Sequence, residues 1–164
     1  MSQQLAIDGM AFARDRRVLE GTFDVSALTR LHDLLAEVSG EVRYRLEGVR
    51  GERGQSQLRL LLSGSLPLAC QRCLGVVEFR LEVDSLLELV PEGEDLSQDE
   101  LEDDSRDFLP VAGELEVADL VEDEVLLALP VSPRHEKCSL PGVSEAGERM
   151  MPFAGLAGMK GRPN

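Results

Sequence analysis

Tryptophan is missing from this chain, and tyrosine occurs once, at Tyr44. Aromatic residues make up only 4% of the sequence, too few for the stacking platforms on which single-stranded nucleic-acid binders lay successive bases. Histidine is scarce as well, with His32 and His135 alone, so imidazole-based acid–base catalysis has little to work with. Gly-rich phosphate loops, nucleophile elbows and the His-Glu-x-x-His pattern do not occur. No apolar run approaches the roughly 18 residues of a membrane span. The opening Met1-Ser-Gln-Gln-Leu-Ala-Ile-Asp8 has neither the basic nor the apolar region of a secretory signal. Cysteines number three, an odd count that argues against a disulfide framework and fits a reducing compartment. The expectation is a cytoplasmic chain with no membrane attachment.

What remains is Leu, Val and acid. The 164 residues are 43% apolar and 29% charged, enough for one domain with a Leu- and Val-rich core. The net charge of −14 is uneven, because residues 88–124 hold 16 of the chain's 31 acids and only one of its 17 bases, Arg106. A near-neutral body thus carries one acidic block, which repels phosphate backbones and attracts basic proteins.

Periodicity predicts an α+β fold, an antiparallel sheet with two main helices packed on its apolar face. A strand is expected over 16–25. A helix follows over about 26–38, with Leu28, Leu31, Leu35 and Val38 at helical spacing and Asp24 or Ser26 as its cap. Segments 41–50, 55–70 and 76–90 alternate with period two. Val42, Tyr44 and Leu46 share one face of the first, Leu58, Leu60 and Leu62 one face of the second, and Val77, Phe79, Leu81 and Val83 one face of the third. Gly51-Glu-Arg-Gly54 reads as a hairpin loop. Residues 91–108 are acidic and aperiodic and predict a long mobile loop. A second helix is expected over about 116–129, ending at Pro130, with Val117, Leu120, Val121 and Val125 facing inward and Glu116, Asp119, Glu122 and Asp123 forming an opposite, acidic stripe. Residues 1–138 are read as one domain and 139–164 as a linker and a short helical tail that docks through Phe153 and Leu156 or holds a partner with them.

Two motifs bear chemistry. Cys70-Gln-Arg-Cys73 is followed by strand-like alternation rather than by the helix a thioredoxin-type pair requires, so redox catalysis is disfavoured. With His135 and Cys138 it makes a Cys3His set suited to one structural zinc. The alternative is three reduced cysteines beside a surface histidine. Arg43, Arg45, Arg59 and Arg80 fall on the outer sheet face, interleaved with Glu41, Glu47, Glu78 and Glu82, so ion pairing across strands accounts for them better than an RNA surface does.

Cys70-Gln-Arg-Cys73-Leu74, the stretch from Glu114 to Pro130, Pro133-Arg-His135 with Cys138, and Pro152-Phe-Ala-Gly-Leu-Ala157 follow one another in an order and spacing that resembles the bacterial YceD family, which has plastid relatives. The resemblance implies a role in accumulation of large-subunit ribosomal RNA, hence in ribosome biogenesis. It also implies proximity to a zinc-binding large-subunit ribosomal protein, whose gene commonly neighbours those of the family, and it brings no enzymatic activity with it. The 133–138 segment is shorter here than in some relatives. Joined to the charge pattern, the expectation is a non-catalytic factor that holds a basic ribosomal protein or pre-ribosomal particle. Glu116, Asp119, Glu122, Asp123, Phe153 and Leu156 would be the contacting residues. The competing readings are direct RNA binding through a basic sheet face, or a zinc- or thiol-dependent enzyme acting on rRNA precursors.

Overall fold

Alternation of apolar and charged side chains along three long segments builds the sheet. In the computed structural model, which describes residues 5–140, β2 (Val18–Asp24), β3 (Glu41–Arg50), β4 (Ser56–Ala69) and β5 (Val76–Pro91) pair antiparallel in sequence order. The register sets Leu46 against Leu60 and Leu62 against Val83, so the apolar residues of neighbouring strands share one face. Val42, Leu46, Leu58, Leu60 and Leu81 are fully buried there. The opposite face is charged. Arg59 forks onto Asp84 at 2.8 and 2.6 Å, holding that carboxyl below its usual range, while Arg45 bonds Glu20 across the strands and Glu47 along its own. The ion-pair account of this face holds for Arg45 and Arg59, whose partners lie on the neighbouring strand, while Arg80 pairs along its own strand with Glu82.

Three features were not anticipated. β1 (Ala6–Asp8) pairs with β7 (Glu114–Glu116) in a two-stranded ribbon that leads directly into the main helix. Between β1 and β2, α1 (Gly9–Arg14) is capped by Asp8, whose side chain accepts from the Ala11 amide at 2.9 Å, and it buries Phe12 and Ala13 against β3. That approach requires glycine at position 48, where a Cβ would stand 2.3 Å from the Phe12 carbonyl oxygen. Third, β6 (Asp107–Val111) pairs with β5 in parallel, which makes the sheet mixed rather than purely antiparallel. A parallel neighbour needs a crossover. The acidic stretch supplies it through the one-turn α2 (Gln98–Leu101), closed by a capping box between Ser97 and Glu100. Residues 91–108 are therefore not wholly a loop. Arg106, at 18% side-chain exposure, anchors the crossover on Glu88 at 2.5 Å. Pro110 is compatible with β6 because this strand forms the sheet edge.

The expected helix over 26–38 is corrected. The chain there makes two 3₁₀ turns, Val25–Ala27 and Thr29–Leu34. The fully buried residues are Val25, Leu28 and Leu31, spaced by three, which is the repeat of a 3₁₀ helix and not of an α-helix. Of the other two residues in the expected helical stripe, Val38 is exposed and Leu35 only half-buried. In place of two main helices, the sheet is covered by α1, the 3₁₀ turns and a single longer helix. This is α3 (Val117–Ala128), and it buries Val117, Leu120, Val121 and Val125 as expected. Among the described residues no helix is long and apolar enough to cross a membrane. Phe153 and Leu156 lie outside the described residues.

Candidate metal centre and acidic face

The turn between β4 and β5 presents Cys70 and Cys73. Cys70 closes β4 and is fully buried. Its amide donates to the Gly75 carbonyl at 2.8 Å, and the Leu74 amide donates back to the Cys70 carbonyl at 2.9 Å. The left-handed backbone of this turn sits at Leu74, with φ of +61°. The segment after α3 then passes over this turn. The Gln71 amide donates to the Pro133 carbonyl at 2.8 Å, and Arg72 donates to the Cys138 carbonyl at 3.3 Å. His135 and Cys138 are thereby placed above the two cysteines of the turn.

All four side-chain donors of Cys70, Cys73, His135 and Cys138 lie within 4.8 Å of one another. Cys70 Sγ stands 3.8 Å from Cys138 Sγ, and Cys73 Sγ stands 3.3 Å from His135 Nδ1. A tetrahedral zinc with metal–sulfur bonds near 2.3 Å separates its sulfurs by about 3.8 Å. The donor set therefore has the spacing a metal needs. His135 Nε2 faces the Val76 carbonyl at 2.8 Å. A proton on Nε2 donated there leaves the Nδ1 lone pair directed at Cys73, the outer arrangement usual for metal-binding histidines.

The electrostatics agree. The backbone amide of Cys73, with those of His135 and Arg72, points at the Cys70 sulfur and brings its pKa down to about 5 against the opposing effect of burial. Burial, with Cys70 and Cys73 close by, pushes the Cys138 thiol up instead. One thiolate is easy in this cluster and a second is not, because like charges so close repel. A dication would offset that repulsion. The cluster can hold a metal ion.

On α3 the acidic residues divide. Asp119 is exposed and Glu116 half-buried. Glu122 is only 5% exposed, which corrects its place on a solvent-facing stripe. Its carboxylate accepts from the Arg30 amide at 3.0 Å and from Arg30 Nε at 2.7 Å. The same guanidinium donates to Asp123 at 2.8 Å and to the Asp119 carbonyl at 3.0 Å, and these bonds, with Glu122 first, raise the Arg30 pKa. Arg30 thus ties the second 3₁₀ turn to α3. Sequence reading missed it, since an isolated base beside Leu31 carries no local signal for a partner 92 positions away. Glu124 was likewise not singled out. It is 8% exposed, and its carboxylate accepts from the Ser85 hydroxyl.

The model of a protein family described as Large ribosomal RNA subunit accumulation protein YceD matches residues 58–160. The chain belongs to this family. The match begins in β4 and takes in both halves of the Cys3His cluster and the whole acidic block, while α1, β2 and β3 precede it. YceD membership implies a role in large-subunit ribosomal RNA accumulation. No curated protein and no solved structure matches the chain.

Proposed function

We propose that this YceD protein is a non-catalytic, cytoplasmic adaptor of ribosome biogenesis that promotes large-subunit rRNA accumulation by holding a basic ribosomal protein or a pre-ribosomal particle. The charge distribution supports this reading above all else. From Glu88 to Glu124 the chain holds 16 acids, of which Glu122 and Glu124 are buried, and one base, and that base, Arg106, is already engaged by Glu88. Such a surface repels phosphate and favours cationic protein. Glu116, Asp119 and Asp123 form the α3 part of the docking face, and Phe153 and Leu156 are its apolar anchors in the tail. Cys70, Cys73, His135 and Cys138 hold one structural zinc. When bound, that ion crosslinks the β4–β5 turn to residues 133–138 and so fixes the exit of α3.

The test measures binding of the full chain to the protein fraction of purified large ribosomal subunits and, separately, to large-subunit rRNA fragments, each over a range of salt. The adaptor reading expects protein binding that weakens with salt and no comparable RNA binding. Tight RNA binding with a steep salt slope, and none to the proteins, would overturn it.

A further inference from the structure

The sheet's apolar face is incompletely covered at its β6 edge. Among α3, β5 and β6 lies a trough of about 490 Å³ whose apolar lining includes Leu87, Leu109 and Leu127. Leu127 is 80% exposed, on a helix whose other face is core. The trough is also lined by Asp107, Asp123 and Glu124, and among the described residues no base lines it.

The three carboxylates are not equivalent. Asp123 already receives Arg30. Asp107 is exposed. Glu124 is the unusual one, because it is 92% withdrawn from solvent (8% exposed), and among the described residues Ser85 is its hydrogen-bond partner and no cation pairs with it. Glu122, just before it on the same helix, shows what this protein does with a buried carboxylate when a cation is at hand, since Arg30 grips it through two bonds. A buried carboxylate without a cation is costly, and a lysine or arginine arriving from outside relieves that cost. RNA is the wrong chemistry, because its phosphates would face three carboxylates.

We infer that this trough receives a segment of a partner protein, which sets a lysine or arginine against Glu124 and apolar side chains on Leu87 and Leu109. The inference rests on the adaptor reading and gives it a place on the molecule distinct from Glu116 and Asp119. The chain's own residues 149–164, with Arg149, Lys160, Arg162 and no acid, have related chemistry and are the competing occupant that the test must separate.

The experiment places a photo-crosslinking amino acid at position 127 of the full chain, in cells where the labelled protein still restores rRNA accumulation, and maps the crosslinked peptides. The expected product is a peptide from another protein, carrying Lys or Arg among apolar residues. Its yield should fall about tenfold or more with Glu124→Gln, which preserves size and the bond to Ser85 but removes the charge. A crosslinker at Leu86, on the opposite face of β5, should not yield that peptide. A product within residues 141–164 of the same chain, a product with RNA, a yield insensitive to Glu124→Gln, or no product would each overturn the inference. Ribosomal-protein binding that persists in the salt titration with Glu124→Gln would remove the trough alone. Its absence from the unsubstituted chain would remove the adaptor reading itself.

Discussion

At the scale of single residues, two buried glutamates on one helix do different work. Glu122 is a structural ion-pair partner, whereas among the described residues Glu124 has only a hydroxyl for company. Removing Arg30 strands the Glu122 carboxylate, which is the costly way to break such a pair, while replacing both partners with apolar residues need not be costly. Arg30→Met should therefore lower stability by about 2–4 kcal/mol, the lower end reflecting the half-exposed guanidinium. Arg30→Met combined with Glu122→Met should recover a large part of that loss. Denaturant titration of the single and double variants measures both, and a double variant no more stable than the single one would show that the pair is not the relevant unit. Leu31 is the apolar counterpart, fully buried in the same 3₁₀ turn. Leu31→Ala should cost about 2–5 kcal/mol by the same measurement.

At the scale of elements, the β4–β5 turn and the segment after α3 are held by a few hydrogen bonds and four metal-type donors. Neither piece has much apolar area of its own, and Leu74 is exposed at the tip of the turn. A metal there would supply order that packing does not. Purified protein should carry about one zinc per chain, and chelation should lower its melting temperature. Cys73→Ser and His135→Ala should each abolish stoichiometric zinc while leaving the strand content of the far-UV circular dichroism in place, because the core leucines are elsewhere. Metal-free wild-type protein with melting unchanged by chelator would remove zinc from this reading.

At the scale of the whole molecule, the question is whether the acidity docks a partner or merely solubilises. Arg30 has already claimed Asp123, so a clean charge reversal uses Glu116→Lys with Asp119→Lys. Both leave Val117, Val121 and Val125 in the core. Exchanging acids for bases in the first turn of α3 should cost up to about 1 kcal/mol each, which the fold should tolerate. The control is Glu94→Lys with Asp95→Lys, the same charge change on the exposed crossover before α2. The helix pair should slow association with large-subunit proteins and reduce rRNA accumulation in a deletion strain, with the crossover pair closer to wild type. Equal restoration by both would reduce the acidity to a solubility device.

Period-two alternation in β3, β4 and β5 and the apolar stripe of α3 were legible in the residues themselves, because each rests on burial of one face and burial of that kind is written locally. The donors of the metal centre were legible too, since Cys70 and Cys73, and His135 and Cys138, are each separated by two residues whatever the rest of the chain does. Other features were decided only in three dimensions. The 3₁₀ turns replaced a helix because Val25, Leu28 and Leu31 must meet the sheet at a spacing of three. β6 runs parallel to β5 because the chain returns through a crossover, whose Arg106 pairs with Glu88. β1 and β7 are too short for periodicity to reveal, and they exist because each supplies the other's hydrogen bonds. Glu122 and Glu124 look alike in a run of acids. Only the packing of α3 gives one of them an arginine from the far end of the chain and sets the other beside an apolar trough without one, because a partner distant in sequence leaves no trace in the local pattern.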